Sequence, residues 1–422
     1  MFGKILHTFG INVFSAVINL VVAVLLSQYL GPAGKGNQSL IITTISFILI
    51  FSNVVGGATL VYLVPRHESR LLLIPAYCWT LVMSILSYFI LLFSGLIDKS
   101  YVLHVCILAI MYSVTSIHSN LLIGQQRIKL TNYLSLTQSI TLILSLSISF
   151  FLLKQISIAT YIAALYISIG INLVAGSFYI RKSFSGQKPL RMTEFIIVIQ
   201  QMFKFGFYNQ IAHITQMTSF RISFYIIEQY KGLASVGVYS NGLSIAEGIW
   251  LVAKSMSLVQ YSMVANSNDR ESSARFTLLL IKAGIAISIL LLIPLVLMPE
   301  QFYTYIFGRG FSGVKPVIIS LIPGVLIYNI SILLGHYFSG TGRYYMNAGI
   351  SGIGMIVSLI LYFILIPRMD IYGAGFATSL SYTFTSILFM IYFSREIKPG
   401  HFYILPTIAD VKILMSHIRK RK

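Results

Sequence analysis

Apolar runs long enough to cross a membrane follow one another along almost all of this 422-residue chain. A helix needs about 20 mainly apolar residues to span the hydrocarbon core of a bilayer. The runs are continuous instead of alternating in polarity, which favours helices over the strands of a membrane barrel. We expect about twelve spans, near residues 5–30, 38–64, 71–95, 101–124, 132–153, 157–180, 198–227, 235–262, 274–298, 315–338, 345–366 and 372–394.

The composition agrees with a membrane protein and excludes a water-soluble one. Hydrophobic residues make up 56% of the chain and charged residues only 10%, so no soluble core could bury the apolar runs. Lys4 precedes the first run, and no small-residue cleavage site follows it, so we expect a retained first helix and not a removed signal peptide. The predicted fold class is an all-α integral membrane protein.

The formal net charge of +19 comes from basic residues whose distribution along the chain indicates the membrane topology. Basic residues concentrate in alternate connections, such as those holding Arg66, Arg127 and Arg343, and in the tail that ends at Lys422. Because cytoplasmic loops carry the excess of Lys and Arg, both termini are expected inside the cell. Much of the charge therefore marks orientation, and no nucleic-acid partner is needed to explain it.

Two glycine-rich stretches indicate an internal duplication. Residues 28–36 read QYLGPAGKG and residues 229–237 read QYKGLASVG, with Gly31 matching Gly232 at an offset of 201 residues. A second repeated motif reads GQQR, ending at Arg127, in the first half and GTGR, ending at Arg343, in the second half. The predicted organisation is a six-helix lobe at 1–180, a cytoplasmic linker at 181–197, a second six-helix lobe at 198–394 and a basic cytoplasmic tail at 395–422. A pseudo-twofold axis along the membrane normal should relate the lobes.

Polar residues within the spans predict where a substrate could pass, because burying them in lipid is costly. The first, second, seventh and eighth spans carry polar stripes at matched positions, which favours a hydrated central cavity between the lobes over ordinary helix-to-helix hydrogen bonding. The uncharged candidates for lining this cavity are Asn12, Asn19, Asn53, Asn209, His213, Gln216 and Ser244.

Three charged residues are further candidates. Glu247 and Lys254 lie two turns apart on one face of the eighth span. Either they neutralise each other, or Lys254 binds an anionic substrate while Glu247 serves as a proton or cation site. Arg221 lies toward the outer end of the seventh span, where it could also reach the interface.

The chain shows no pattern typical of an enzyme. We find no metal-ligand cluster, no nucleophile-base pair and no phosphate-cradling Gly-Lys loop above chance, and every outer loop is short. We therefore expect no catalytic residues, no metal and no cofactor.

Four stretches together resemble a known family: YLGPAGKGNQS at 29–39, VGVYSNGLSIAEGIWLVAKSMS at 236–257, FGRGF at 307–311 followed by GTGR at 340–343, and LIPRMDIYGAGFATSLSY at 365–382. With the spacing of the spans, they are similar to the Wzx-like flippases for O-antigen and capsule repeat units. These belong to the multidrug/oligosaccharidyl-lipid/polysaccharide exporter superfamily.

The resemblance implies two six-helix lobes around a cavity lined by the first, second, seventh and eighth helices. It implies translocation of an undecaprenyl-pyrophosphate-linked oligosaccharide from the inner to the outer leaflet of the bacterial cytoplasmic membrane by alternating access. It also implies cationic cavity residues, for which Lys254 and Arg221 are the matching candidates. The first half has no buried charge to match Glu247 and Lys254, so a symmetric charged cavity is not expected.

Other functions stay open at this point. A cation-coupled drug antiporter or a peptidoglycan-precursor flippase belongs to the same superfamily, and a membrane polysaccharide polymerase or ligase is a more distant alternative. The expected partners are the lipid-linked oligosaccharide and the bilayer. The candidate coupling ions are a proton and sodium, and polysaccharide polymerase machinery is a candidate protein partner.

Overall fold

A computed structural model describes residues 2–181, 192–267 and 269–396, with side chains for all of these except residues 2–9, 12, 208 and 209. The linker and tail expected at 181–197 and 395–422 therefore lie mostly outside the described residues. Within the described ranges the regular structure consists of α-helices and short helical turns, with no strand between them. The α-helices are α1 (Phe2–Gly56), α2 (Ala58–Leu63), α3 (Ser69–Ser94), α4 (Lys99–Gly124), α5 (Ile128–Ser147), α6 (Ile158–Arg181), α7 (Met192–Gly248), α8 (Trp250–Ala265), α9 (Arg270–Leu297), α10 (Glu300–Phe307), α11 (Val314–Gly340) and α12 (Tyr344–Ser394).

Three of these helices are too long to be single spans. Among the described residues, eight helical segments are long and apolar enough to cross a membrane, and Gln210–Gly248 of α7 forms a ninth with α8, bent by 42°. The segments 13–63 and 344–394 have 51 residues each. At about 1.5 Å per residue such a helix would be about 75 Å long, more than twice the hydrocarbon thickness of about 30 Å. Each of α1, α7 and α12 contains one non-helical residue, and division there yields the twelve predicted spans in the described part of the chain.

The predicted glycine-rich turns are shorter than expected, because each is a break at a single residue. Gly31 has φ 68° and ψ −176°, and Gly232 has φ 79° and ψ 174°. This region of backbone space is almost restricted to glycine. The two residues paired by the sequence offset therefore share one unusual conformation, and helical geometry resumes directly after each.

All positive-φ residues of the described chain occur in corresponding pairs. The pairs are Gly31 and Gly232, Gly95 and Gly308, Gln126 and Gly342, and Lys154 and Asp370, separated by 201, 213, 216 and 216 residues. The pairs occur in the same order in both halves and at nearly constant separation, so corresponding connections have the same kind of backbone break. This correspondence favours the duplication, while the pseudo-twofold relation of the lobes stays a prediction.

Contacts divide the chain into two compact units, residues 1–217 and 218–422, which we call the first unit and the second unit. The division falls inside α7. Buried side chains of the first core include Val55, Leu60, Leu72, Leu121 and Met202, contributed by α1, α2, α3, α4 and α7. The predicted lobe limits at 180 and 198 stay a prediction.

The second unit has a core of its own, built from α8, α9, α11 and α12. It contains Val264, Ala274, Leu333, Phe338 and Phe393, all at most 4% exposed. Outside the cores, many large apolar side chains are exposed along the spanning helices, as expected for surfaces that face lipid. The chain is a multi-pass membrane protein.

Candidate functional site

A polar pocket of about 440 Å³ lies in the first unit, at the point where α1 ends. It contains Asn53 and His213, two of the residues that the sequence predicts as cavity candidates. None of the lining side chains carries a full charge when histidine is neutral. The lining residues are Ser46, Leu49, Ile50, Asn53, Gly57, Ala58, Ser116, Asn120, Gln210 and His213.

A helix break at Gly57 opens this side of the first unit. Helix α1 ends at Gly56 and α2 begins at Ala58, so the last carbonyl groups of α1 lose their helical partners. The Asn120 side chain donates from Nδ2 to the Gly56 carbonyl oxygen at 3.1 Å. A Cβ atom at Gly57 would lie only 3.1 Å from Gln210 Nε2. The missing side chain at Gly57 therefore leaves space for the Gln210 amide.

A second glycine brings α7 against α1. A Cβ atom at Gly206 would lie 1.6 Å from the carbonyl oxygen of Val54, so no other residue could occupy this crossing without moving the helices. Gln210 follows one turn later on α7 and faces the pocket. Close contact between the two helices thus fixes the position of the Gln210 side chain.

Hydrogen bonds join α4 to the end of α1 along one wall of the pocket. Ser116 Oγ donates to Asn53 Oδ1 at 3.2 Å, and Asn120 Nδ2 also approaches Ser116 Oγ at 3.3 Å. Ser116 and Asn120 are four residues apart on α4 and so lie on one face. Neither residue is among the predicted cavity candidates, although this spacing of polar residues within the fourth span could have identified them.

Several polar groups around the pocket have no hydrogen-bond partner among the described residues. The clearest case is Gln210, whose side chain is 5% exposed and whose amide bonds to none of the described groups. The amide nitrogen of Asn53 and the ring of His213 are likewise without a partner in the described ranges. The pocket therefore presents donors and acceptors with unused bonding capacity.

The second unit contains a charged site formed by two residues of α7. Arg221 donates from Nη1 to Glu247 Oε1 at 3.1 Å and from Nη2 to Oε2 at 2.7 Å. In a straight helix these residues would be about 39 Å apart, and the break at Gly232 reverses the chain so that they meet. The side chains are 27% and 14% exposed, which makes this bidentate pair partly buried.

Glu247 is paired with Arg221, whereas one of the alternatives raised by the sequence paired it with Lys254. Arg221 and Glu247 lie on opposite sides of the break at Gly232, so helical periodicity along either segment gives no sign that they meet. Arg221 binds a carboxylate of its own unit.

Aromatic side chains pack next to this ion pair in the second unit. Four rings form a cluster in which the centroids of each pair are 4.6–5.6 Å apart. They belong to Phe220, Trp250, Tyr328 and Tyr382. Such apolar surroundings strengthen electrostatic attraction and raise the cost of an unpaired charge. The Arg221–Glu247 contact is therefore held in an environment where loss of either partner is expensive.

Lys254 on α8 is exposed and has no acidic partner among the residues that the structure describes. Its Nζ lies 5.9 Å from the centroid of the Trp250 ring, a distance at which a cation is weakly attracted to the ring face. The ammonium group is thus available to an anion. Lys254 and Glu247 do not form a pair in this structure.

The remaining predicted residues have varied positions. The side chains of Asn12 and Asn209 lie outside the described residues. Asn19 and Ser244 are exposed, and Gln216 is half-buried and makes contacts of its own. A common cavity that unites these residues stays a prediction, as does the role of each in binding.

Comparison with known proteins identifies related sequences and folds. A family described as "Polysaccharide biosynthesis protein" matches residues 3–261. The capsular polysaccharide biosynthesis protein CapF of Staphylococcus aureus is 26% identical over 175 residues. That alignment covers 41% of this chain and 44% of CapF, so the chain matches less than half the length of this relative.

Two solved structures have similar folds over most of their length. An inward-facing multidrug resistance MATE family transporter of the MOP superfamily superposes with a TM-score of 0.74 at 13% identity, covering 90% of this chain and 94% of that chain. The lipid II flippase MurJ in an inward closed conformation gives a TM-score of 0.72 at 15% identity, covering 93% and 88%. These folds confirm the predicted all-α membrane class.

Proposed function

Because the chain belongs to the polysaccharide biosynthesis protein family, we propose that it is a flippase for lipid-linked saccharides. The substrate would be an undecaprenyl-pyrophosphate-linked oligosaccharide repeat unit of a capsule or O-antigen. The protein would move it from the inner to the outer leaflet of the bacterial cytoplasmic membrane by alternating access, with both termini in the cytoplasm. The observation that carries this proposal is a pocket of uncharged hydrogen-bonding groups within membrane-spanning helices.

The chemistry of the two sites suits the two parts of such a headgroup. A saccharide that enters a membrane must exchange its water for other hydrogen-bond partners, and the amide, hydroxyl and imidazole groups of the first unit can provide them. A pyrophosphate requires compensating positive charge. Lys254 is exposed and without an acidic partner among the described residues, so its ammonium group can provide that charge.

The alternatives receive less support from the site. A cation-coupled drug antiporter requires a carboxylate that is free to bind its ion, whereas Glu247 is held by both nitrogens of Arg221. A peptidoglycan-precursor flippase would move a chemically similar lipid, but the family match favours polysaccharide synthesis. In this account the coupling ion is a proton or sodium, and polysaccharide polymerase machinery receives the product.

Reconstituted vesicles provide the test. Purified protein is placed in liposomes with an undecaprenyl-pyrophosphate-linked disaccharide that carries a fluorophore on the sugar, and an impermeant reductant quenches the outer leaflet. We expect quenching to extend into the inner-leaflet pool when a proton gradient, a sodium gradient or a membrane potential is imposed. Protein-containing vesicles that behave like empty ones under all three conditions would contradict the proposal.

A further inference from the structure

The side-chain amide of Gln210 is the feature of the first-unit pocket that most needs a partner. A glutamine side chain has two donor hydrogens and an acceptor oxygen, and Gln210, which is 5% exposed, uses none of them with any described residue. The amide atoms of this side chain are not fully enclosed by protein and reach the space of the pocket. Its position against Gly57 and Asn53 is fixed by the close helix contact at Gly206. The amide is therefore held ready for a partner in the pocket.

The other unused groups complement Gln210. Asn53 on α1 offers amide donors, and the ring of His213 on α7 offers a donor and an acceptor when neutral. Groups of both kinds converge on a space of about 440 Å³, within the usual range of about 300–1,000 Å³ for small-molecule sites. An apolar solute would leave these groups unpaired, whereas a compound rich in hydroxyl and amide groups would satisfy them.

The absence of charged side chains from the lining narrows the class of compound that the pocket can bind. The lining contains no Lys, Arg, Asp or Glu, so a carboxylate in this pocket would have no opposite charge beside it. Burial of an unpaired charge is strongly unfavourable, whereas burial of a hydrogen-bonded neutral polar group is tolerated. The lining therefore suits an uncharged sugar better than a uronic acid.

From these observations we propose that the first-unit pocket is a subsite for one uncharged sugar of the transported headgroup and that Gln210 determines this specificity. The inference rests on the proposed function, because it names the sugar class of the same substrate. The contact at Gly206 is what positions Gln210 for this role.

Direct binding to the intact protein in nanodiscs tests the subsite. The probes are undecaprenyl pyrophosphate linked to N-acetylglucosamine, the same lipid linked to glucuronate, and the lipid without sugar. Wild-type protein is expected to bind the first probe about tenfold more tightly than the other two, the gain that one or two well-made hydrogen bonds provide. Gln210→Met, which keeps the side-chain size, should remove this preference while binding of the sugar-free lipid is unchanged.

Two further variants keep the test decisive. Gln200→Leu alters an exposed glutamine on the same helix and should retain the wild-type preference. Ser46→Leu fills the pocket from α1, leaves Gln210 in place and should remove the preference. Equal wild-type affinity for all three probes, as expected of a pocket that holds only water, would overturn the subsite. So would a preference that survives both Gln210→Met and Ser46→Leu. Absence of binding to any of the three probes would instead contradict the proposed function.

Discussion

Glu247→Ala is expected to lower the free energy of unfolding by about 3 kcal/mol and to stop transport. The substitution leaves the Arg221 guanidinium, which is 27% exposed, without its carboxylate partner next to an aromatic cluster. Removal of one member of a partly buried ion pair is costly because the remaining charge has little contact with water and no counter-ion. The measurement is thermal unfolding of the purified protein in detergent, with transport followed in proteoliposomes.

The second unit offers a matched control on its surface. Glu271 pairs with Arg275 one turn away on α9, where Arg275 is 63% exposed. Glu271→Ala should therefore change the unfolding free energy by no more than about 0.5 kcal/mol. The double variant Arg221→Met with Glu247→Leu removes both charges and should recover most of the lost stability while remaining inactive. Wild-type stability of Glu247→Ala, or wild-type transport by the double variant, would contradict this account of the pair.

Lys254→Ala is expected to reduce the transport rate by about tenfold to a hundredfold while leaving the protein as stable as the wild type. Hydrogen bonds between an ammonium and a phosphate contribute about 1.5–3 kcal/mol, which corresponds to that range of rates. The side chain is exposed and has no acidic partner in the described structure, so its loss removes no internal contact with a carboxylate. Transport rate and unfolding temperature are measured on the same preparation.

Two variants complete the comparison for Lys254. Lys254→Arg keeps the positive charge and should retain most of the activity. Lys231→Ala removes another exposed cation of the same unit, directly before the break at Gly232, and should have no effect on the rate. Transport by Lys254→Ala at the wild-type rate, or an equal loss with Lys231→Ala, would show that Lys254 has no specific role.

The twelve spans could be predicted from the sequence because crossing a bilayer depends on a local property, the length of an apolar run. The exact form of the connections could not be predicted in the same way. At Gly31 and Gly232 one residue in an unusual backbone region replaces a turn of several residues. Lys154 and Asp370 share a positive φ although their side chains have nothing in common, so only the backbone reveals their correspondence.

The residues of the two candidate sites were only partly predictable for a related reason. Asn53 and His213 were identified because each lies on a polar stripe of its own helix. Ser116, Asn120 and Gln210 enter the pocket through contacts among α1, α4 and α7, which depend on the glycines at 57 and 206. The Arg221–Glu247 pair depends on the chain reversal at Gly232. Helical periodicity shows which residues share a face of one helix, and it does not show which residues of different helices come into contact.

The most direct measurement of the central claim is the leaflet distribution of lipid-linked repeat units in cells that lack this chain. Spheroplasts are treated with an impermeant sugar-oxidising reagent, and the fraction of repeat-unit lipid that escapes labelling is determined. Our account predicts that these lipids accumulate in the inner leaflet without the chain, that the wild-type gene restores labelling, and that Glu247→Ala does not. Unchanged labelling in cells without the chain, provided that no second flippase is present, would contradict it.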